Sequence, residues 1–189
     1  MGALQHFKTI THHRHQVIRN CRRAGILWQG LRHDLSKFSP TEFCEGARYW
    51  QGNRSPNDKA REENGYSAAW MHHKGRNRHH FEYWTDYSPI EKKMQPVEMP
   101  LRYVAEMFCD RVAASKTYQG AAYTDRHPLE YFERGKARRA AMIHEKTSDL
   151  IEEMLTILAE QGEDAAFAHI RQLLKEDKKR RKYRKKSER

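Results

Sequence analysis

The 189-residue sequence has few cysteines and no long apolar run, and each shortage excludes a class of protein. Its three cysteines, Cys21, Cys44 and Cys109, are odd in number and none belongs to a CxxC motif, so a disulfide framework is not indicated. We interpret all three as buried, reduced thiols, which are typical of a reducing compartment. No stretch approaches the length of a membrane span, and the first ten residues lack a signal-peptide core. We therefore expect a cytoplasmic protein that does not contact a membrane.

The composition is polar but is not that of a disordered chain. Charged residues make up 32%, hydrophobic residues 38% and aromatic residues 11% of the sequence. This aromatic content supports a packed core, and the length suits one domain plus a tail. Helical patterns recur, whereas internal repeats and convincing alternating strand patterns are missing from the sequence. An all-α fold is the prediction.

Positive charge is concentrated at the C-terminal end. Of the net charge of +11, residues 175–189 carry +7, from ten Lys or Arg and three acidic residues, so the first 174 residues carry +4. A basic run without apolar periodicity is usually solvated and mobile. We predict a helical domain over residues 1–174 and a disordered basic tail over residues 175–189. The tail either only solubilises the chain or adds a weak, salt-sensitive contact with nucleic acid.

Capping signals place the first helices. The first is predicted over residues 4–24 and ends at the glycine that follows. The second begins at Ser39, which can cap the helix, with Pro40 in the first helical position. Glu42, three residues after the cap, would complete a capping box. A polar loop is predicted over residues 52–58.

Further helices follow in the second half of the domain. One begins near Ser67 and either continues to Trp84 or breaks at Gly75. A connection containing three prolines covers residues 88–100, and its last proline begins the next helix. Two or three more helices are expected before about Leu174.

The pair His33–Asp34, which follows a short predicted turn at residues 28–31, is the most informative motif of the chain. A divalent metal prefers this mixture of imidazole nitrogen and carboxylate oxygen. In the first helix His13 lies on the apolar row and points inward, whereas His12 and His15 diverge from it. We take His13 as a candidate ligand and His15 as the reserve. The alternatives are that His13 is an ordinary core histidine and that Asp34 only pairs with Arg32 or Lys37.

Four histidines lie within nine residues of the middle of the chain, and they are His72, His73, His79 and His80. In a continuous helix His73 and His80 would share one stripe. If the helix breaks at Gly75, the two pairs could converge from opposite sides of a bend. The flanking aromatic residues Trp70 and Phe81 favour a buried site over a histidine cluster on the surface or an adventitious metal-binding tract.

Asp110 lies on a core-facing row of its predicted helix. A carboxylate there needs a metal, an arginine or hydrogen-bond donors to offset its desolvation. Glu106, one turn earlier, shares that face and is either a partner of the metal ligands or a catalytic base. The alternative for Asp110 is a surface pairing with Arg111 or Lys116.

The order of His13, the HD pair, the histidine cluster and Asp110 resembles the HD-domain superfamily of metal-dependent phosphohydrolases. Lys37, three residues after Asp34, is similar to the HDxxK form of the cyclic-dinucleotide phosphodiesterase branch. The strings HDLSKFSPTEF and AWMHHKGRNRHHFEYW resemble a family of unknown function, DUF5662, over about residues 4–120.

The resemblance implies an HD-domain-like helical bundle that holds divalent metal ions, two in number, of the Mn, Fe, Zn, Ni, Co or Mg type. One ion would be held by His13, His33, Asp34 and Asp110. The other would be held by Asp34, His73 and one or both of His79 and His80. Asp34 would thus bridge the two ions with its two oxygens.

The activity implied by the resemblance is hydrolysis of a phosphate ester by a metal-activated water, and the substrate is a nucleotide or another phosphorylated small molecule. Lys37, Arg76 and Arg78 are the candidate phosphate-binding cations, unless they are only solvated surface charges. The candidate catalytic residues are Asp34, Lys37 and Glu106. Two alternatives remain open, an HD-type di-iron oxygenase and a non-enzymatic nucleic-acid accessory protein that uses the basic tail.

Overall fold

A computed structural model describes residues 2–187 and has a largely all-α fold, as predicted. The helices in chain order are α1 (Gly2–Ala24), α2 (Leu27–Arg32), α3 (Pro40–Arg48), α4 (Pro56–Asn64), α5 (Ala68–Lys74), α6 (Leu101–Gln119), α7 (His127–Arg134), α8 (Lys136–Arg139) and α9 (Glu145–Ser187). α9 is kinked at Gly162, whose φ of 83° and ψ of 176° are not helical, so it consists of two helical parts. Short 3-10 helices lie at Leu35–Phe38, Phe81–Tyr83 and Gly120–Ala122. Among residues 2–187, no helix combines the length and apolarity needed to cross a bilayer.

The core lies where α1, α6 and α9 pack against one another. Val17 of α1 and Leu158 of α9 are completely buried. Phe108 of α6 packs edge-on against Phe167 of α9, with ring centroids 5.6 Å apart. Fully burying side chains of this size contributes about 1.5–3 kcal/mol each. This packing fixes α1 beside α6 and so sets His13 and Asp110, one from each helix, within contact distance.

Local capping explains where α1 and α3 end and begin. α1 ends at Gly25, whose φ of 82° is readily adopted only by glycine. Ser39 caps α3 by accepting a hydrogen bond from the backbone N–H of Glu42, and Pro40 occupies the first helical position. The capping box is wrong in its second half, because the buried Glu42 carboxylate contacts His72 and His73 instead.

Two short helices occupy segments predicted to be loop or turn. α2 covers the predicted turn before the HD pair. α4 begins inside the predicted polar loop, where Ser55 caps it and Pro56 is its first residue. α4 buries only Ala60, so it has no apolar stripe from which a helix could be predicted.

The histidine-rich segment is bent. α5 ends at Lys74, so of the two alternatives the structure has the break at Gly75 and not the continuous helix to Trp84. The turn between α5 and the next 3-10 helix carries His79 and His80 back towards His73.

A small hairpin corrects the expectation that strands are absent. β1 (Thr85–Ser88) pairs antiparallel with β2 (Lys93–Pro96), with Thr85 opposite Pro96 and Ser88 opposite Lys93. Almost all of its side chains are exposed, so the sequence lacks the alternation that marks a half-buried strand.

The basic tail is also a correction, because residues 175–187 are helical rather than disordered, while residues 188 and 189 lie outside the described part of the chain. Lys and Arg are good helix formers, and the tail extends a helix that is already packed, so it needs no new nucleus. Two side-chain contacts, each between residues one helical turn apart, support this helix. Gln172 donates to Glu176, and Arg181 pairs with Asp177 at 2.8 Å.

The cysteines are only partly as predicted. Cys21 and Cys109 are free and buried in the core, whereas Cys44 is free and exposed. Cys44 lies on the outer side of α3, which has packing partners on only part of its circumference.

Candidate metal centre

The HD pair directs both of its side chains inward because of an unusual backbone turn. His33 is extended, with φ −56° and ψ 129°, and ends α2. Asp34 is left-handed, with φ 54° and ψ 26°, and directly precedes the next 3-10 helix. Residues with a Cβ adopt this conformation reluctantly, although Asp tolerates it better than most. This strained conformation lets two consecutive polar side chains, those of His33 and Asp34, both be buried.

One group of ligand atoms joins α1, the HD turn and α6, and its members are His13, His33, Asp34 and Asp110. His13 Nε2 lies 2.9 Å from Asp110 Oδ1. His33 Nε2 lies 3.2 Å from Asp34 Oδ2 and 3.5 Å from Asp110 Oδ1. Two donors bound at about 2.1 Å to one ion are separated by about 3.0–3.4 Å in octahedral or tetrahedral geometry. These separations therefore fit a single metal ion.

A second group joins the HD turn to the bent histidine segment, and its members are Asp34, His73, His79 and His80. Asp34 Oδ1 lies 3.2 Å from His73 Nε2 and 3.5 Å from His79 Nε2. His73 Nε2 and His80 Nε2 are only 2.9 Å apart. Two imidazole nitrogens so close repel each other unless a proton or a cation lies between them.

Asp34 belongs to both groups through different oxygens. Oδ1 faces His73 and His79, whereas Oδ2 faces His33. Oδ2 also pairs with Lys37 Nζ at 2.6 Å, so the predicted alternative partner of Asp34 is present as well. A carboxylate with one oxygen directed to each of two ligand groups can bridge two metal ions.

Several atoms of the centre have no hydrogen-bond partner among the described residues, and they are His13 Nε2, His33 Nε2, His79 Nε2 and Asp34 Oδ1. These atoms are buried and lie within 3.5 Å of other ligand atoms of the centre, but they form no hydrogen bonds with them. Unpaired buried polar groups cost free energy and are rare in native proteins. Converging lone pairs of this kind are those of ligands around a cation, so the residues present fit a divalent metal.

Glu106 contacts two of the candidate ligands, His33 and His79, and together with them it forms a third group that could hold a metal ion. Its Oε1 lies 3.0 Å from His33 Nδ1 and 3.4 Å from His79 Nδ1, and its Oε2 accepts from Gln29 Nε2 at 2.8 Å. Burial alone would raise the pKa of Glu106, but the contacts with His33 and His79 lower this pKa to about 2. An ionised carboxylate only accepts hydrogen bonds, so each Nδ1 carries a proton, and Nε2 is the nitrogen that can bind a metal once it is deprotonated.

Glu42 contacts the Nδ1 atoms of His72 and His73 in the bent histidine segment, as Glu106 does those of His33 and His79. Its Oε2 lies 2.7 Å from His73 Nδ1, and its Oε1 lies 2.6 Å from His72 Nδ1. His72 thus contacts Glu42 and belongs to neither of the two ligand groups, while His73 presents Nε2 to Asp34. Sequence reasoning assigned Glu42 to a helix cap, since nothing local indicates that residues 30 positions apart meet.

The charges at the centre require a positive counterpart. Burial alone would raise the pKa of Asp34 and of Asp110, yet both pKa values lie well below the ordinary range. The cause at Asp34 is the surrounding His33, Lys37 and His73. The cause at Asp110 is its contact with His13 and His33. Burial would lower the pKa of His33, yet it lies well above its usual value beside these carboxylates. Either protons or metal cations compensate this buried negative charge.

The remaining predicted residues lie around this centre. His12 and His15 belong to neither ligand group and line a surface depression between α1 and the C-terminal end of α6. Lys116 pairs with Glu163 rather than with Asp110. Arg76 and Arg78 line a second depression of about 330 Å³, which reaches His79 and Glu106. Their assignment as phosphate-binding residues stays a prediction.

The second depression contains further residues that the sequence did not single out. Arg32 adds a third guanidinium group, and Trp28 adds an indole ring whose residue is 75% exposed. Gln29 and Asn77 contribute polar groups to its wall. These residues come from α2 and from the bend after α5, so only the tertiary structure brings them together.

The fold and the site define an all-α protein with a buried His/carboxylate cluster that could hold metal ions. The chain belongs to the family of unknown function DUF5662, whose family model matches residues 2–157. No curated protein and no solved structure matches the chain. The family match includes every residue of the two ligand groups and ends within α9, before the basic tail.

Proposed function

We propose that this protein is an HD-type metal-dependent phosphohydrolase acting on a nucleotide or another phosphate ester. One observation carries the proposal, and it is the position of Asp34, with one oxygen towards each of two groups of histidines. The order of His13, the HD pair and Asp110 in one of these groups supports HD-type chemistry. Two divalent cations, when bound, lower the pKa of a water molecule towards neutrality and stabilise charge on a phosphoryl group.

The protein's own residues hold this centre ready for reaction. Glu42 and Glu106 keep the Nε2 atoms of His73, His33 and His79 turned inward. Their contacts are already formed, so little reorganisation accompanies metal binding. A pKa of about 2 makes Glu106 a weak proton acceptor at neutral pH, which favours an orienting role over that of a general base.

The edge of the centre offers approach and binding for an anionic substrate. The side chains of Asp110 and Lys37 are 18% and 30% exposed, compared with 0–4% for Asp34, His33, His73 and His79. Solvent therefore reaches the centre on the side of Asp110 and Lys37. Lys37, whose pKa is raised by Asp34 and Asp110 despite burial, keeps its positive charge there. A phosphate oxygen can be held by such a cation.

The depression that contains Arg32, Arg76 and Arg78 supports the same substrate class. Arg78 is held by Tyr103, whose hydroxyl lies 3.2 Å from its Nη1. Trp28 can stack against a flat ring at the mouth of the depression. A ligand with phosphate groups and a base would match both features, so nucleotides are the first substrates to test.

The test combines elemental analysis with a substrate panel, on protein purified without a His tag. Each divalent metal is added in turn, and release of phosphate is measured for nucleoside mono-, di- and triphosphates, p-nitrophenyl phosphate and bis-p-nitrophenyl phosphate. We expect turnover that is lost in Asp34→Asn. Arg76→Gln and Arg78→Gln should raise KM while metal content is kept, and Arg54→Gln, a matched exposed arginine paired with Glu62, should change neither.

The outcomes separate the proposal from its rivals. Turnover with redox-inert Zn²⁺ or Mg²⁺ supports a hydrolase, whereas activity that needs iron and dioxygen indicates an oxygenase on the same ligands. Less than one metal ion per chain in the supplemented wild type contradicts the proposal, as does undiminished turnover in Asp34→Asn.

A further inference from the structure

The last turns of α9 project beyond the core as a basic helix, which we define as residues 175–187. The last fully buried residue of α9 is Ile170, and described side chains from Lys175 to Arg184 are exposed except the half-buried Asp177. The basic helix contains nine Lys or Arg and two acidic residues. At 1.5 Å per residue it is about 20 Å long. It lies outside the residues matched by the family model.

Cations cover the whole circumference of the basic helix. Five consecutive residues, 178–182, are Lys or Arg, and successive residues are 100° apart, so they cover more than one full turn. The only large apolar residue is Tyr183, which is 75% exposed. A helix that inserts into a membrane surface needs an apolar face, and one that joins a coiled coil needs an apolar seam. The basic helix has neither.

A partner must therefore present negative charge on more than one side of the helix. The major groove of B-form DNA does so, because it is about 12 Å wide, admits an α-helix and has phosphates along both edges. The major groove of A-form RNA is too deep and narrow for a helix to enter. Lys and Arg are the main residues that bind DNA phosphates, and contacts with phosphates carry no sequence information.

The basic helix is formed before any partner binds. It continues a packed helix, and the Asp177–Arg181 pair of 2.8 Å supports its first turns. Binding then needs little ordering of the chain, and phosphates relieve the repulsion between neighbouring cations. We propose that residues 175–187 bind double-stranded DNA independently of sequence, as a preformed helix lying in the major groove.

The test measures fluorescence anisotropy of a labelled 20-base-pair duplex with the full-length protein between 50 and 200 mM salt. Contacts with about six phosphates predict that log K falls with log salt with a slope of about −5. Removal of residues 175–189 should weaken binding at least 100-fold at 50 mM salt and bring the slope from about −5 to between about −2 and zero. Thermal unfolding of the truncated protein verifies that the core is folded.

A matched pair of variants tests the helix itself. Arg181→Gln and Arg181→Pro each remove one positive charge, but only proline breaks the helix. We expect a two- to threefold loss of duplex affinity for Arg181→Gln and at least a tenfold loss for Arg181→Pro. Circular dichroism verifies the difference in helix content.

Several results would overturn the inference. Equal duplex affinities of the two Arg181 variants would mean that the cations act as a flexible polyelectrolyte. Tighter binding to single-stranded DNA, to A-form RNA duplex or to vesicles containing phosphatidylserine would assign the helix to another partner. Asp34→Asn should leave duplex binding unchanged, so failure of the proposed hydrolase activity would not affect this result.

Discussion

Replacement of Asp34 and of Asp110 should have different effects on metal content. Asp34 offers one oxygen to each ligand group, whereas Asp110 belongs to one group only. We expect Asp34→Asn to lose both ions and Asp110→Asn to lose one. Asn is the appropriate replacement because it tolerates the left-handed backbone at Asp34, while its single oxygen cannot serve both groups.

The size of the effect follows from linkage between binding and folding. A metal present at 100 times its Kd stabilises the folded state by about 2.7 kcal/mol per site, so two sites contribute about 5 kcal/mol. For a chain of this length, each kcal/mol raises Tm by about 2–4 °C. Metal should therefore raise the Tm of the wild type by about 10–20 °C and that of Asp110→Asn by about half as much. Asp34→Asn should gain almost nothing.

The assay is differential scanning fluorimetry with and without chelator, together with elemental analysis of each variant. Asp164→Asn is the matched control, since Asp164 is exposed and pairs only with Arg23 among the described residues. Equal loss of metal in Asp34→Asn and Asp110→Asn would refute the bridging arrangement. A full Tm shift in Asp34→Asn would refute the site altogether.

Three further predictions concern the surroundings of the centre. Glu42→Gln should weaken metal affinity about 10- to 100-fold in a chelator competition, because His73 loses the carboxylate that fixes its tautomer, and Glu62→Gln, which is exposed, should not. Burial and the nearby Lys37 lower the pKa of His6 to about 4, so the unfolded chain takes up a proton first as pH falls from 6.5. The His6 contribution to stability is then present above pH 6.5 and is lost towards pH 4, by at most about 3 kcal/mol. Chelator-treated His6→Gln should therefore show a smaller fall in its stability to urea over this pH range than the wild type does. An unchanged fall would contradict the burial of neutral His6. Gly30→Ala should destabilise the fold by about 1–3 kcal/mol, because the new Cβ would lie 2.6 Å from Cys21 Cβ, whereas Gly75→Ala meets its nearest atom at 3.5 Å and should melt like the wild type.

Local patterns in the sequence account for much of the fold. The boundaries of α1 and α3 follow from Gly25, Ser39 and Pro40, whose effects act within a few residues. The inward direction of His13 follows from the helical period, and its burial agrees with this. α4 and the hairpin were missed because their exposed sides leave no hydrophobic period to detect.

The basic tail shows the opposite limit. Its composition resembles that of a mobile end, yet it is helical because it extends a helix held in the core by residues such as Ile170. Composition describes the tail alone, whereas the helix depends on what precedes it. Exposure of Cys44 is a similar case, since burial of a small residue depends on which face of α3 has a neighbour.

The candidate site divides in the same way. The sequence by itself determined which side chains are available, because the HD pair, the histidine cluster and Asp110 are recognisable by residue type and order. Only the tertiary structure decided how they are used, since it places one oxygen of Asp34 towards each group and sets Glu42 and Glu106 behind the histidines. The physical reason is distance along the chain. Contacts between residues 30 to 100 positions apart depend on the packing of α1 against α6 and on the left-handed turn at Asp34, and neither leaves a local mark in the sequence.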